Sequence, residues 1–295
     1  MTVFIPGGCG YIGAMLVPFL LADGHKVTVL DTMWFGSGHL PDNPNLTIIK
    51  GDIRDKAVLK DASTGCDAVI WLASVSNNAM YALSPVTHEV NTAVTYIPCE
   101  KFIYASSAAV VDPTSDYAKD KLICEAALKD TGAIIVRAAS VCGYSPHMRF
   151  DLTLNKMAHD AYRKGVITVN GGDQVRFHVH IRDLCDFYRL ALTKAVAGET
   201  YTVFDVGLTI KEAANIVADI FKNHRRAVKV DFLPATDNRS WPPDQFSGDS
   251  MRSMGAENKK AVWDGVREII DRFDAGYWPD SMTNELYLNI KTGLA

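Results

Sequence analysis

Three glycines spaced three apart constrain this chain more than any other feature: Gly7, Gly10 and Gly13, in Phe4-Ile5-Pro6-Gly7-Gly8-Cys9-Gly10-Tyr11-Ile12-Gly13. They follow a short apolar run, Val3 to Ile5, and open an apolar stretch, Tyr11 to Ala22, that reads as a helix. A strand, a glycine-rich turn and a helix N-terminus make an anion site, because backbone N–H groups and the helix dipole both point at the turn. Glycine serves where φ is positive or where a pyrophosphate must approach the backbone. The next apolar run, Lys26 to Leu30, reads as a strand and ends in Asp31, 18 residues beyond Gly13. That is near the spacing of a ribose-binding carboxylate. A carboxylate accepts hydrogen bonds from a free 2′-OH and repels a 2′-phosphate, so Asp31 favours NAD over NADP. The alternative is an aspartate that merely closes a strand.

The first half alternates the two kinds of element. Strands are expected at Thr2–Ile5, Lys26–Leu30, Leu46–Lys50, Ala68–Leu72, Lys101–Ala105 and Ala133–Arg137. Helices are expected at Tyr11–Asp23, Asp55–Ala62, Pro85–Ala93 and Asp116–Asp130. Such alternation implies right-handed crossovers and an α/β fold: a Rossmann-like, doubly wound parallel sheet. Ligands then bind beyond the carboxyl ends of the strands, which puts Gly7–Gly13, Asp31, Asp52, Ala73–Ser74, Ser106–Ser107 and Ala138–Tyr144 under suspicion. After about residue 145 the pattern changes. Helices are expected at Leu152–Lys164, Ile210–Phe221 and Ala261–Phe273, strands at Val166–Val169, Val175–Ile181 and Thr200–Val206, and a loop at Asp237–Pro243. We read residues 1–145 as a dinucleotide domain and 146–295 mainly as a smaller α/β substrate lobe, with strands from the second half completing the first sheet.

At 295 residues, 48% apolar and 22% charged, the chain can bury one large core or a core plus a lobe. A net charge of −4 gives no reason to propose nucleic acid or an anionic membrane as partner. No apolar run is long enough to span a bilayer, and no cleavable signal precedes the first strand. The six cysteines form no C-x-x-C pair and sit in apolar contexts, which fits a cytoplasmic protein without disulfides or zinc. His178 and His180 would face one side of a strand; packing or a substrate contact is favoured there over a metal.

Tyr117 and Lys121 are four apart at the start of an expected helix and so share a face. An ammonium and the positively charged nicotinamide ring would both favour the phenolate, so the tyrosine can trade protons at neutral pH. Ser106-Ser107 follows the strand before it, where a hydroxyl can hydrogen-bond the substrate oxygen that gains or loses a proton.

With these residues in place, the chain resembles the extended short-chain dehydrogenase/reductases of the NAD-dependent nucleotide-sugar epimerase/dehydratase family over nearly its whole length. The likeness rests on Gly7-x-x-Gly10-x-x-Gly13, Asp31, Gly51-Asp52-Ile53, Leu72-Ala73, Asn91, Ser106-Ser107, Tyr117-x-x-x-Lys121, Arg137 and His180-x-x-Asp183. The resemblance implies that Gly7, Gly10, Tyr11, Ile12 and Gly13 hold the NAD pyrophosphate and that Asp31 binds the adenosine ribose. Asp52 and Ile53 would flank the adenine. Leu72, Ala73 and Ser74 would line the cofactor channel, with Ser106 also on the cofactor side. Lys121 would reach the nicotinamide ribose, and Ser107 and Tyr117 would do the proton chemistry beside it. Asn155, Arg176 and Arg239 would contact a nucleotide-diphosphate sugar, the two arginines by clamping its phosphates.

The sequence departs from the family pattern in three places. Ala108-Ala109-Val110-Val111 follows the serines where water-eliminating relatives carry an acidic pair, decarboxylating ones usually a glutamate and 3,5-epimerising ones a cysteine. The stretches from Asn91 to Phe102 and from Ser107 to Tyr117 are short; the first leaves a homodimer open but weakens it as an expectation, and the second tightens the loop that must join serine and tyrosine. Pro6 and Trp71 replace a small hydroxyl residue and a histidine, both at positions where backbone makes the contact. The leading expectation is epimerisation, at C4 of a hexose, which needs only Ser107, Tyr117 and Lys121 beside NAD. A ketoreductase or dehydrogenase with net hydride transfer, and a non-catalytic NAD- or sugar-nucleotide-binding protein, are the alternatives.

Overall fold

A computed structural model describes residues 1–37, 39–235, 240–288 and 290. The first half runs β1 (Thr2–Pro6), α1 (Tyr11–Ala22), β2 (Lys26–Asp31), β3 (Leu46–Lys50), α2 (Lys56–Ser63), β4 (Ala68–Trp71), α3 (Ala79–Leu83), α4 (Val86–Thr92), β5 (Lys101–Ser107), α5 (Asp116–Leu128) and β6 (Ile134–Ala138). It continues through β7 (Ser140–Cys142), α6 (Thr153–Lys164), β8 (Val166–Asn170), β9 (Val175–His180), α7 (Ile181–Lys194), β10 (Thr200–Val203) and β11 (Val206–Thr209). The described chain closes with α8 (Ile210–Asn223), β12 (Lys229–Leu233), α9 (Asp249–Ser253) and α10 (Val262–Asp274).

Seven strands form one parallel sheet in the order β10-β6-β5-β4-β1-β2-β3, as the alternating pattern predicts. Ala68 to Trp71 are all buried, because helices cover both faces and leave no polar side for alternation. The chain direction across the sheet reverses between β1 and β4, and that is where a crevice opens at the strand ends. Ser115 caps α5 by accepting from Ala118 N at 3.2 Å, and so starts the helix two residues before Tyr117.

The second half adds a three-stranded sheet, β11-β9-β7, and a two-stranded one, β12-β8. Helices α6, α8 and α10 pack together, with the rings of Phe150 and Phe273 stacked at 5.5 Å. The expected strand Thr200–Val206 is in fact two. Its first part, β10, pairs with β6 in the central sheet, Thr200 opposite Ile135. The chain then leaves that sheet at Asp205, whose N–H donates to His178 O at 2.7 Å, and β11 runs antiparallel to β9.

Helix α7 is an element the sequence reading left unassigned. Strand β9 ends at His180 rather than Ile181, because His180 Nδ1 accepts from Arg182 N at 3.2 Å and caps the new helix. Ile181, Leu184, Cys185, Tyr188, Ala191 and Leu192 then form a buried stripe with helical spacing, packed against α1. The short strands β7, β11 and β12 were also unassigned; three to five residues carry too little pattern. Among the described residues no helix is long and apolar enough to cross a membrane.

Two buried histidines make the fold acid-sensitive. His178 is fully buried in β9, and among the described residues neither ring nitrogen has a hydrogen-bond partner. Burial, with Arg176 nearby, pulls its pKa down from 6.5 to about 4. Burial, then His39 and Arg149, does the same to His147, also to about 4. The unfolded chain therefore binds more protons than the folded one between pH 6.5 and about 4, and stability is lost as pH falls through that window. The loss is on the order of 3 kcal/mol for each ring. Thermal melts across that range should show it, and His178→Leu should flatten the slope; an unchanged slope would refute the assignment.

Candidate active site

A cavity of ≈ 340 Å³ opens at the carboxyl ends of β1, β2, β4, β5 and β6. Gly7, Gly10 and Gly13 form its floor with Tyr11 and Ile12. Gly7 has φ +78°, and a Cβ there would lie 2.5 Å from the Ala73 backbone. A Cβ on Gly13 would lie 2.2 Å from Gly8 O. The loop is therefore folded onto itself and onto the end of β4, with no room for side chains at these two positions.

Asp31 stands at the end of β2 on the cavity wall. Its Oδ1 accepts from Met33 N at 2.8 Å and its Oδ2 from Cys9 N at 3.0 Å, which leaves further lone pairs on both oxygens. Burial raises its pKa above the ordinary aspartate range, against the two backbone donors that lower it. On acidification Asp31 thus protonates at a higher pH than an exposed aspartate and loses part of its power to accept hydrogen bonds, which would weaken a hold on the ribose. NAD affinity should decline at a higher pH than an ordinary carboxylate would allow, and Asp31→Asn should flatten that profile in a binding titration. An unaltered profile would remove Asp31 from the ribose.

Asp52 and Ile53 lie on the same wall; Arg54 holds Asp52 at 2.7 Å. Leu72, Ala73 and Ser74 line the opposite side. Asn91 orders that segment: its Oδ1 accepts from Ser74 Oγ at 3.0 Å and Val75 N at 2.7 Å, and its Nδ2 donates to Val75 O at 2.9 Å. Tyr11 presents its ring to the cavity, but its hydroxyl is turned away and donates to Gly143 O at 2.6 Å.

Ser107 and Tyr117 both reach the cavity wall, so the short segment between them suffices to bring them to one place. It does so by a tight 3-10 turn, Ala108–Val111, which Ser107 caps by accepting from Ala109 N at 3.2 Å. Ser106 also touches the wall, but its hydroxyl donates to Glu125 Oε1 at 2.5 Å, and Glu125 in turn pairs with Arg137 at 2.6 Å. Lys121 sits behind Tyr117 and is 3% exposed. Its Nζ donates to Ala105 O at 2.8 Å and lies 5.5 Å from the Tyr117 ring centroid and 4.9 Å from that of Tyr104.

Of the three expected substrate contacts, Asn155 and Arg176 lie among the described residues, and neither lines the cavity. Asn155 is fully buried and off the cavity wall. Its Oδ1 accepts from Gly143 N at 3.0 Å, while its Nδ2 donates to Tyr11 OH at 3.1 Å and Arg149 O at 3.0 Å. It ties Tyr11 of the floor to Gly143 and Arg149. Arg176 lies over the Trp241 ring, 5.4 Å from its centroid, and Trp241 itself lines the cavity. Arg239 lies outside the described residues. The reading missed Arg149, the basic side chain that does line the cavity, together with Ser76 and Trp241. No local motif marks Arg149; the arginine alone, between His147-Met148 and Phe150, was the available signal.

The glycine floor without Cβ space, the buried Asp31 and the apolar strand ends fit a dinucleotide laid across β1. Residues 3–207 match the model of the NAD dependent epimerase/dehydratase family. The chain belongs to this family. Its cofactor is NAD. A UDP-glucose 4-epimerase of Lacticaseibacillus casei is 24% identical over 320 residues, covering 92% of this chain and 95% of that one. An uncharacterised protein, y4nG, of Sinorhizobium fredii is 32% identical over 171 residues, covering 48% of this chain and 42% of its own length. Among solved structures, a dTDP-glucose 4,6-dehydratase of Streptomyces venezuelae, DesIV with NAD and TYD bound, shares the fold with a TM-score of 0.80. It is 23% identical, with 94% of this chain and 99% of that chain covered.

Proposed function

We propose that this protein is an NAD-dependent nucleotide-sugar epimerase acting at C4 of a hexose. One observation carries the reading: Ser107 and Tyr117 share the cavity with no carboxylate on the wall beside them. The acids on the wall, among the described residues, are Asp31 and Asp52, at the ends of β2 and β3. Ala109 lines the wall, in the segment after the serines where the resemblance places the acidic pair of water-eliminating relatives. Elimination of water needs a second acid or base; inversion at C4 does not.

NAD, held over the glycine floor and Asp31, would supply the hydride acceptor and donor. Tyr117 takes the proton of the 4-OH as C4 is oxidised and returns it when C4 is reduced from the other face. Ser107 hydrogen-bonds the same oxygen and holds it against Tyr117. Lys121 stands behind the Tyr117 ring, its Nζ 5.5 Å from the ring centroid, and would attract negative charge that develops on the phenol oxygen in the transition state. Asn91 fixes the Ser74–Val75 segment by three hydrogen bonds, and Gly7 lets the floor fold onto the end of β4 beside it. The likeness to an enzyme named UDP-glucose 4-epimerase, over nearly the full length of both chains, supports the same reading.

The test is NMR of the protein with NAD and a panel of UDP-, GDP-, dTDP- and CDP-sugars, with absorbance followed at the NADH band. A new epimer without net NADH is the expected result. A product with matching cofactor change would make the protein a ketoreductase or dehydrogenase, and NAD binding with no product from any sugar would make it a binding protein.

A further inference from the structure

We infer that Arg149 reads an uncharged oxygen of the substrate's sugar, and that Asp151 sets this preference by neutralising it. The inference rests on the reading that the cavity beside Tyr117 takes the sugar of a nucleotide sugar. Arg149 is 7% exposed and shares the cavity wall with Tyr117, Ser76 and Leu152. Among the described residues it is the basic side chain on that wall. Tyr117 lines the same cavity, so an oxygen bound to Arg149 would share that cavity with the proton chemistry.

The guanidinium is held from three directions. Its Nε donates to Asp151 Oδ1 at 2.9 Å, its Nη2 to Asp151 Oδ2, and its Nη1 to Ser76 Oγ. The backbone is pinned as well: Arg149 O accepts from Asn155 Nδ2 at 3.0 Å, and the next residue, Phe150, donates its N–H to Tyr287 O at 2.6 Å. A guanidinium carries five N–H donors. Three are engaged in these bonds, which leaves two on a side chain that lines the cavity. Buried donors without acceptors are costly, so the site is built to receive an oxygen there.

Charge decides which oxygen. The Arg149–Asp151 pair is side-on and mostly buried, with side chains 9% and 16% exposed. Burial works against the charge on Arg149, yet its Asp151 partner overcomes it and holds the guanidinium pKa above its ordinary value. A neutralised guanidinium still donates, but a sugar carboxylate placed against it would meet the Asp151 charge at short range. A hydroxyl or keto oxygen would not. The pocket should therefore prefer a neutral hexose to a hexuronate.

Calorimetry on the NAD-loaded protein with UDP, UDP-glucose and UDP-glucuronate, and with dTDP and dTDP-glucose, tests this. The wild type should bind the hexose nucleotide more tightly than the bare nucleotide and more tightly than the hexuronate. Arg149→Met should remove the advantage of hexose nucleotide over bare nucleotide, about tenfold or more, and leave the bare nucleotide unchanged. Arg149→Gln, which keeps donors without charge, should restore part of it and checks that a loss in Arg149→Met is not misfolding. Asp151→Asn should move the preference toward UDP-glucuronate by about tenfold or more. An unchanged hexose advantage in Arg149→Met overturns the inference, and so does an equal loss of bare-nucleotide binding. If the wild type binds no sugar nucleotide, the proposed function falls and this inference with it; if it binds them and Arg149→Met binds them equally well, only the inference falls.

Discussion

Tyr117→Phe should cut turnover by about 10²- to 10⁴-fold while NAD affinity stays within a few-fold of wild type. The phenol lies on the cavity wall with Ser107, and no carboxylate of the described wall stands near enough to replace it. Phenylalanine keeps the ring that Lys121 faces at 5.5 Å, so the substitution removes the proton-transferring oxygen and little else. Epimer formation followed by NMR, with NAD binding by calorimetry, separates the two effects. Lys121→Met should behave differently. Lys121 is buried and its Nζ bonds Ala105 O, so its loss strips a charge from behind Tyr117 and also removes that buried hydrogen bond. Turnover retained in Tyr117→Phe would sink the proposed chemistry.

Gly13→Ala should cost far more stability than Gly10→Ala, although both add one methyl group to the same glycine-rich loop. The new Cβ would meet Gly8 O at 2.2 Å, a backbone atom that no rotamer change can move aside. The loop must shift, at a cost of about 1–3 kcal/mol or more, which lowers the melting temperature by several degrees, and the floor under NAD shifts with it. Gly10→Ala is the control. Its Cβ would lie 3.5 Å from Gly7 O, in ordinary contact, and Gly10 has φ −79° as the N-cap of α1. Gly10→Ala should therefore melt near wild type, and any loss of NAD affinity in it reports a ligand approaching the backbone. Equal melting temperatures for the two variants would refute this division of roles.

The two glycines show where a sequence reading stops. Both stand in one motif, and the motif makes them equivalent; only the close approach of Gly8 O separates them. The same limit applies to the serines. Ser106 and Ser107 are neighbours at the end of a strand, yet β5 sends the first to Glu125 and leaves the second capping the turn that leads to Tyr117. Asn155 was singled out by its identity, but its amide is consumed by Gly143, Tyr11 and Arg149, partners that come from the loop before α6 and from α1. Helix α7 is another case: its apolar stripe was present in the sequence and was passed over because the strand before it runs straight into it, with His180 serving both.

What the sequence determined by itself is the half of the molecule whose contacts are local or repeat with a regular period. Apolar runs separated by helix-length segments dictate a parallel sheet, because the crossover has only one favourable hand. The glycine spacing and Asp31 lie within one β-α-β unit, where Cys9 N and Asp31 Oδ2 are 3.0 Å apart, and so a dinucleotide site is legible from a short stretch of chain. Tyr117 and Lys121 share a helix face for the same reason. The tertiary structure alone decided which side chains line the rest of the cavity. Arg149 gains its place from Ser76, on the loop after β4, and from Asn155, which in turn reaches Tyr11. Residues that far apart in sequence carry no periodic signal of their meeting; burial and hydrogen-bond satisfaction bring them together only once the sheet and its helices have packed.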